Sequence, residues 1–152
     1  MKEEFKAVKG YEGLYEVSNL GRVKSLERIV SNGKSSRIVK EKILKAADNG
    51  TGYFVVNLCK NGKMKTKCIH TLVAYAFLNH KPCGMKLVIK HKNFDKTDNR
   101  AKNLEIVTQR ENANLKHFKS SSKFTGVSLY KRSNKWRAGI RTKGKLKHLG
   151  YF

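Results

Sequence analysis

Acidic side chains are the scarce ones: 11 Asp and Glu stand against 34 Lys and Arg in 152 residues, a net charge of +23. Such an excess destabilises a compact chain by self-repulsion unless an anion offsets it. A polyphosphate is the anion that fits, because neutralising phosphates releases counterions and drives association. Long apolar runs are missing too. None approaches the roughly 20 residues that span a bilayer, and no apolar stretch follows Met1 to act as an export signal. Membrane partners are therefore not expected. Nucleic acid is, with a ribosomal-type RNA binder as the bland version of that reading.

Cysteine is sparse and unpaired in pattern. Cys59, Cys68 and Cys83 are odd in number and form no CxxC, which excludes a complete disulfide framework. With His70 and His80 nearby, their spacing still matches no common zinc module, so no zinc is expected. They read as reduced, partly buried thiols of an intracellular protein. Proline occurs once, as Pro82, and no Ser/Gly tract exceeds a few residues.

Three changes of texture divide the chain into residues 1–50, 51–115, a basic polar linker at 116–123, and 124–152. In the first segment Tyr15 and Val17 alternate with Leu14, Glu16 and Ser18 as in a short strand. Asn19-Leu20-Gly21 makes a turn, and Arg22–Leu26 is a second strand. In the next segment, strand-like runs at Tyr53–Cys59 and Met64–His70 flank Asn61-Gly62, a strong hairpin signal. Leu72–Leu78 predicts a short apolar helix, stopped by Asn79 and the Lys81-Pro82-Cys83-Gly84 turn. Met85–Ile89 returns to strand, Lys90–Lys102 reads as a polar loop, and Leu104–Val107 as strand. Thr108 and Glu111 have the spacing of a capping box opening a helix. The tail reads as three short strands with turns near Ser133-Asn134 and Lys143-Gly144.

The order strand, His91, loop, Asn103, strand, capped helix, Asn112 resembles the ββα-metal motif of HNH nucleases, and more closely phage-type HNH homing endonucleases. The matching stretches are His91-Lys92-Asn93-Phe94-Asp95-Lys96-Thr97-Asp98-Asn99, Asn103-Leu104-Glu105-Ile106-Val107-Thr108, and Glu111-Asn112. Ile69–Phe77 matches the apolar helix preceding the motif, with Thr71 where the family usually has Arg. The resemblance implies that His91 takes a proton from the attacking water, as a histidine near neutral pKa can. It implies that Asn103 braces the loop and that Asn112 holds a hard divalent ion, Mg²⁺ or Mn²⁺. The family's second metal ligand immediately precedes the first His, and here that residue is Lys90. A protonated amine has three donors and no lone pair, so the ligand role passes to Asp95 or Asp98, or the site is weakened. Lys90 is left to contact phosphate as a point charge.

Gly10-Tyr11-Glu12-Gly13-Leu14-Tyr15-Glu16-Val17-Ser18-Asn19-Leu20-Gly21-Arg22-Val23 resembles the short DNA-binding motif that accompanies these nucleases. Tyr11, Tyr15 and Val17 fit a mini-core, leaving Arg22, Lys24 and Arg28 for phosphate. The tail, with Thr125–Lys131, Lys135–Arg141 and His148–Phe152, resembles a truncated Apetala (ethylene-response) DNA-binding sheet. That resemblance implies nucleic-acid contacts from Arg132, Trp136, Arg137 and Arg141; Trp136 as core is the alternative. A β-ribbon fits the major groove, and Arg is well shaped for guanine.

The expected fold class is α+β: small N-terminal β-hairpins, a ββα-metal core and a C-terminal three-stranded antiparallel sheet. The expected function is a homing-type endonuclease that nicks or cleaves double-stranded DNA with a divalent metal in the cytoplasm of a phage-infected bacterial cell. The rival reading is a degenerate HNH protein that binds DNA or a nucleoprotein partner without cutting. One HNH site per chain predicts nicking by a monomer, with two copies needed for a double-strand break.

Overall fold

A computed structural model describes residues 2–31, 33–81, 83, 84, 86–113, 122, 124, 126–142 and 144–152. The chain is mixed, mostly strands with few helices. In order come β1 (Phe5–Ala7), β2 (Tyr15–Ser18), β3 (Val23–Ser25), β4 (Arg28–Ser31), β5 (Ser36–Val39), β6 (Lys42–Ile43) and β7 (Ala47–Asp48). Then follow β8 (Phe54–Lys60), β9 (Lys63–Cys68), α1 (Ile69–Phe77), β10 (Leu87–His91), a 3₁₀ turn at Ala101–Asn103, β11 (Leu104–Thr108) and α2 (Gln109–Ala113). The last three are β12 (Val127–Tyr130), β13 (Lys135–Thr142) and β14 (Lys145–Tyr151). Two compact units divide between Gln109 and Arg110. The linker expected at 116–123 lies, apart from Ser122, outside the described residues, as do Pro82, Met85 and Lys143.

The first unit holds four small antiparallel sheets, β1-β2-β3-β6, β4-β5, β7-β8-β9 and β10-β11. The β8–β9 hairpin turns at Asn61-Gly62, both at positive φ (52° and 71°). That is the geometry a two-residue turn needs to match strand twist. On β2, Tyr15 and Val17 face inward as the alternation predicts, but Ser18 is fully buried as well. Its hydroxyl accepts from the Leu20 and Arg22 amides and so closes the turn.

α1 is the hub, packing against β2, β8, β9, β10, β11 and the 3₁₀ turn. It begins three residues before the start that the apolar run alone predicts, at the Ile69 that the family resemblance marks, so Ile69 and His70 are helical rather than strand. The reason is the apolar period Ile69, Leu72, Val73, Ala76, which makes Ile69 the first residue of the inward stripe. No side chain caps its N-terminus and no acid sits in its first turn. A nine-residue helix without caps is marginal alone. Burial of Ile69, Leu72 and Val73, at about 1.5–3 kcal/mol per side chain, is what holds it.

One core runs from the first fifty residues into those that follow: Val8, Tyr11, Tyr15, Val17 and Val23 pack with Val56, Leu58, Ile69, Leu72, Val73 and Leu104. Tyr15 fastens the seam. Its hydroxyl donates to the Cys59 carbonyl (3.3 Å) and accepts from the Cys59 amide (3.0 Å). Arg28, expected to face phosphate, is instead spent on this seam. It donates to the Tyr15 hydroxyl, the Ser25 hydroxyl and the Leu14 and Leu26 carbonyls, and lies 4.9 Å over the Tyr15 ring.

In the second unit, β12, β13 and β14 form an antiparallel three-stranded sheet with a register shift at Ala138/Gly139. No Asp or Glu follows Glu111, while eleven Lys and Arg do.

Candidate nuclease centre

β10 carries Leu87 through His91, so Lys90 and His91 belong to a strand and not to the polar loop expected from Lys90 onward. β11 pairs with β10 in the register Lys90↔Glu105 and His91↔Leu104. Leu104 is buried in the core, which fixes the end of the hairpin beneath His91. The return loop is tied down by its own amides. Asn103 accepts from the Asn93 backbone amide (3.1 Å) and donates to the Asn93 side-chain oxygen (2.9 Å) and the Asp98 carbonyl (2.8 Å). Asn93 in turn donates to the Asp98 carboxylate (3.0 Å).

His91 is buried, with Nε2 3.4 Å from the Asn99 side-chain oxygen. The Asn99 NH₂ donates to the Thr97 carbonyl (3.0 Å), so its oxygen is the atom turned to the ring. Nε2 is then the protonated nitrogen, and in the neutral ring Nδ1 keeps the lone pair. Burial lowers the His91 pKa from 6.5, opposed by the Asn99 bond and by Asp95 and Asp98. Neutrality near pH 7 follows. The chemistry available is proton acceptance at Nδ1.

Two rings complete the surroundings, and sequence reasoning missed both. His70, at the start of α1, stands 5.4 Å from His91 edge-on, and Tyr53 stands 5.0 Å from His70 and 6.0 Å from His91. Burial, then the nearby His91, pushes His70 down to about 4. Its Nδ1 is buried without a hydrogen-bond partner among the described residues. The period that starts α1 at Ile69 was the available signal for His70; Tyr53 offered none.

The carboxylates expected near the site are engaged, Asp98 on both oxygens and Asp95 on Oδ1. Asp98 takes Arg100 on both oxygens (2.7 and 2.6 Å), and that bond foremost lowers its pKa to about 2. Asp95 accepts from the Thr97 amide and hydroxyl, which hold it below the usual carboxylate range. Lys90 pairs with its cross-strand neighbour Glu105 at 3.3 Å. Among the described residues no three His, Cys, Asp or Glu side chains gather to hold a metal ion. Within the first unit an ion would have to draw on the Asp98 carboxylate, shared with Arg100, and on Asp95, whose Oδ1 is engaged by Thr97. The remaining expected ligand, Asn112, is exposed on α2 in the second unit; Thr108 immediately precedes that helix and Glu111 lies in its first turn.

The expected DNA contacts of the N-terminal segment are also paired internally. Arg22 bonds Glu3 through Nε (2.9 Å) and again through Nη2. Lys24 pairs with Glu16 (3.0 Å) and Glu41 (3.6 Å). In the second unit, strand alternation divides the expected set. Arg137 and Arg141 share one face of β13 with Tyr130, His148 and Tyr151, whose rings approach to 4.8–5.6 Å. Trp136 shares the other with Leu129 and Ile140. Arg132 is exposed in the β12–β13 turn.

A strand ending in a buried histidine, an asparagine-braced loop, a returning strand and then a helix is the order of an HNH nuclease core. Residues 68–114 match the HNH endonuclease family and residues 3–59 match the NUMOD4 motif; the chain combines the two. It is similar to the DNA endonuclease I-HmuI of Bacillus phage SP01, 41% identical over 109 residues, which is 72% of this chain and 55% of that protein. It is also 42% identical over 106 residues to an uncharacterized HNH endonuclease of Acanthamoeba polyphaga mimivirus, covering 69% of this chain and 23% of that one. A solved structure described as DNA binding and cleavage by the HNH homing endonuclease I-HmuI superposes with a TM-score of 0.56 at 39% identity, over 72% of this chain and 55% of that one. The chain thus spans about half the length of its phage relative. No helix among the described residues is long and apolar enough to cross a membrane.

Proposed function

We propose that the chain is a homing-type DNA endonuclease that nicks one strand of a double-stranded target, acting in the cytoplasm of a phage-infected bacterial cell. The observation that carries this reading is His91: buried, neutral near pH 7, oriented by Asn99 through Nε2, and left with Nδ1 as the basic atom. In this role Nδ1 takes the proton of the attacking water. Asn103 is a positioning residue that keeps the loop over the strand end. Arg137 and Arg141 grip the duplex, with Arg132 at the turn; Trp136, exposed on the opposite face of the sheet, is a further contact. HNH nucleases typically use a divalent metal. Of the expected ligands, Asn112 and Asp95 stay candidates, Asp95 through Oδ2, whereas Asp98 is a poor one because both its oxygens are already bonded.

A second reading is favoured by one observation, the Lys90–Glu105 pair. It places a neutralised cation at the position the family gives to a metal ligand. On this reading the fold grips DNA, or a nucleoprotein partner, without cutting. Plasmid nicking in Mg²⁺ and in Mn²⁺ separates the two, comparing the native chain with His91→Ala and Lys90→Asp. Nicking abolished by His91→Ala establishes the endonuclease. An inert native chain rescued by Lys90→Asp establishes the binder.

A further inference from the structure

The cations expected to meet DNA in the first unit, Arg22, Lys24 and Lys90, are each held by an acidic neighbour. β9 is different. It is the outer strand of β7-β8-β9, and it carries Lys63, Lys65 and Lys67 at alternate positions. Alternate residues share a face of a strand, spaced about 6.7 Å apart. None of the three has an acidic partner among the described residues. Their cross-strand neighbours are Lys60, Leu58 and Val56. Leu58 and Val56 are core residues, so the lysine stems lie at the core margin while their amines reach water. Together with Gly10, Tyr11 and Lys60, the three line a groove of about 360 Å³. Lys60 itself is tethered to the Gly10 carbonyl (2.7 Å).

We infer that Lys63, Lys65 and Lys67 form a track for the sugar-phosphate backbone of duplex DNA. This rests on the DNA-binding reading above and names the surface of the first unit that carries it. Each strand of a duplex carries one phosphate per about 3.4 Å of helix axis, so a row of three lysines of this spacing has several phosphates within reach. Lysines on an outer strand also deter pairing with other sheets. That role predicts aggregation when they are removed, and no specific change in DNA affinity.

The experiment is the salt dependence of duplex binding by the full chain, measured by fluorescence anisotropy. The native chain is compared with Lys63→Gln/Lys65→Gln/Lys67→Gln and with a charge-matched control, Lys40→Gln/Lys42→Gln/Lys45→Gln. Each lost phosphate contact reduces the slope of log K against log salt by about 0.9, so the β9 triple should lose about 2.7 and the control little. Lys→Arg at the same three positions should keep the slope, and thermal melts verify that all variants fold. Should the triple misfold, Lys65→Gln alone still predicts a loss of about 0.9. Equal losses in the β9 and control variants would make net charge the cause and overturn the track. An unchanged slope in the β9 variant would overturn this inference alone, whereas a native chain that fails to bind duplex DNA would remove the DNA-binding reading with it.

Discussion

Gly21 lies against Asn99 so closely that a methyl group on Gly21 would stand 3.0 Å from the Asn99 Cβ and 3.2 Å from its carbonyl. Gly21 belongs to the β2–β3 turn and Asn99 to the loop that orients His91. A second bond lies alongside, from the Ala101 amide to the Asn19 carbonyl (2.8 Å). The N-terminal segment is thus a wall of the candidate centre.

Gly21→Ala should therefore do more than strain a turn. Gly21 has φ +84°, a region that side chains disfavour, and the added methyl meets backbone on Asn99. The expected cost is roughly 1–3 kcal/mol by urea denaturation. The His91 ring resonances should shift as well, because Asn99 must move. A stability loss with unmoved His91 resonances would show that the contact does not reach the centre.

The β10–loop–β11–α2 order, the Asn61-Gly62 hairpin and the three tail strands were legible because local signals specify them: turn residues, period-two alternation and polar-to-apolar boundaries. The β4–β5 hairpin was not. It packs little, with Ile29 and Ile38 exposed, so no alternation marks it. Nor was the fate of the cations legible. Arg22, Lys24 and Lys90 meet Glu3, Glu16 and Glu105 across strands or turns, at separations of 19, 8 and 15 residues that only register can supply. Composition shows that the chain is basic; pairing decides which lysines remain available.

Asn103 is the loop's keystone, and its removal should be costly. Asn103→Ala would leave the Asn93 amide and the Asp98 carbonyl without their Asn103 partner, while the Asn93 side-chain oxygen keeps the Asp95 amide. Asn93 is exposed and Asp98 half-buried, so water offsets part of the loss and about 1 kcal/mol is expected. Chemical denaturation should register that loss, with hydrogen exchange at the Asn93 amide accelerated. Native-like stability would mean that water replaces the side chain and that the brace is dispensable.

His70 should give the fold a distinct acid sensitivity. Its pKa falls from 6.5 to about 4 on folding. Above pH 6.5 neither state is protonated and nothing is lost. Between 6.5 and about 4 only the unfolded state takes the proton, so stability falls with pH; below that both states take it and the loss stops growing. The loss is on the order of 2–3 kcal/mol once partial exposure is allowed for. Asp98 acts in a separate window, since its contribution is lost only as pH drops from 3.8 toward about 2. Urea midpoints at about pH 7 and about pH 4.5 should differ strongly for the native chain and less for His70→Phe, where His91, also lowered from 6.5 by burial, supplies the remainder. Equal differences would assign the acid sensitivity elsewhere.

Lys90 and Glu105 are directly opposed on β10 and β11, and the pair is part-exposed, at 18% and 46% for the two side chains. A pair of that exposure contributes about 0.5–1 kcal/mol. Lys90→Asp sets two carboxylates face to face and should destabilise the metal-free protein by a similar amount, while Lys90→Asp/Glu105→Lys should restore stability. A double-mutant cycle measures the coupling, and simple additivity would refute it. The same variants test the centre without any cleavage assay. An ion that binds only the folded state raises its melting temperature, so on the non-cutting reading Mg²⁺ or Mn²⁺ should raise that of Lys90→Asp and leave the native chain unmoved, whereas on the endonuclease reading both should rise. A rise in the native chain as well would mean that the fold holds the ion without a carboxylate at this position, and the non-cutting reading would lose its physical basis.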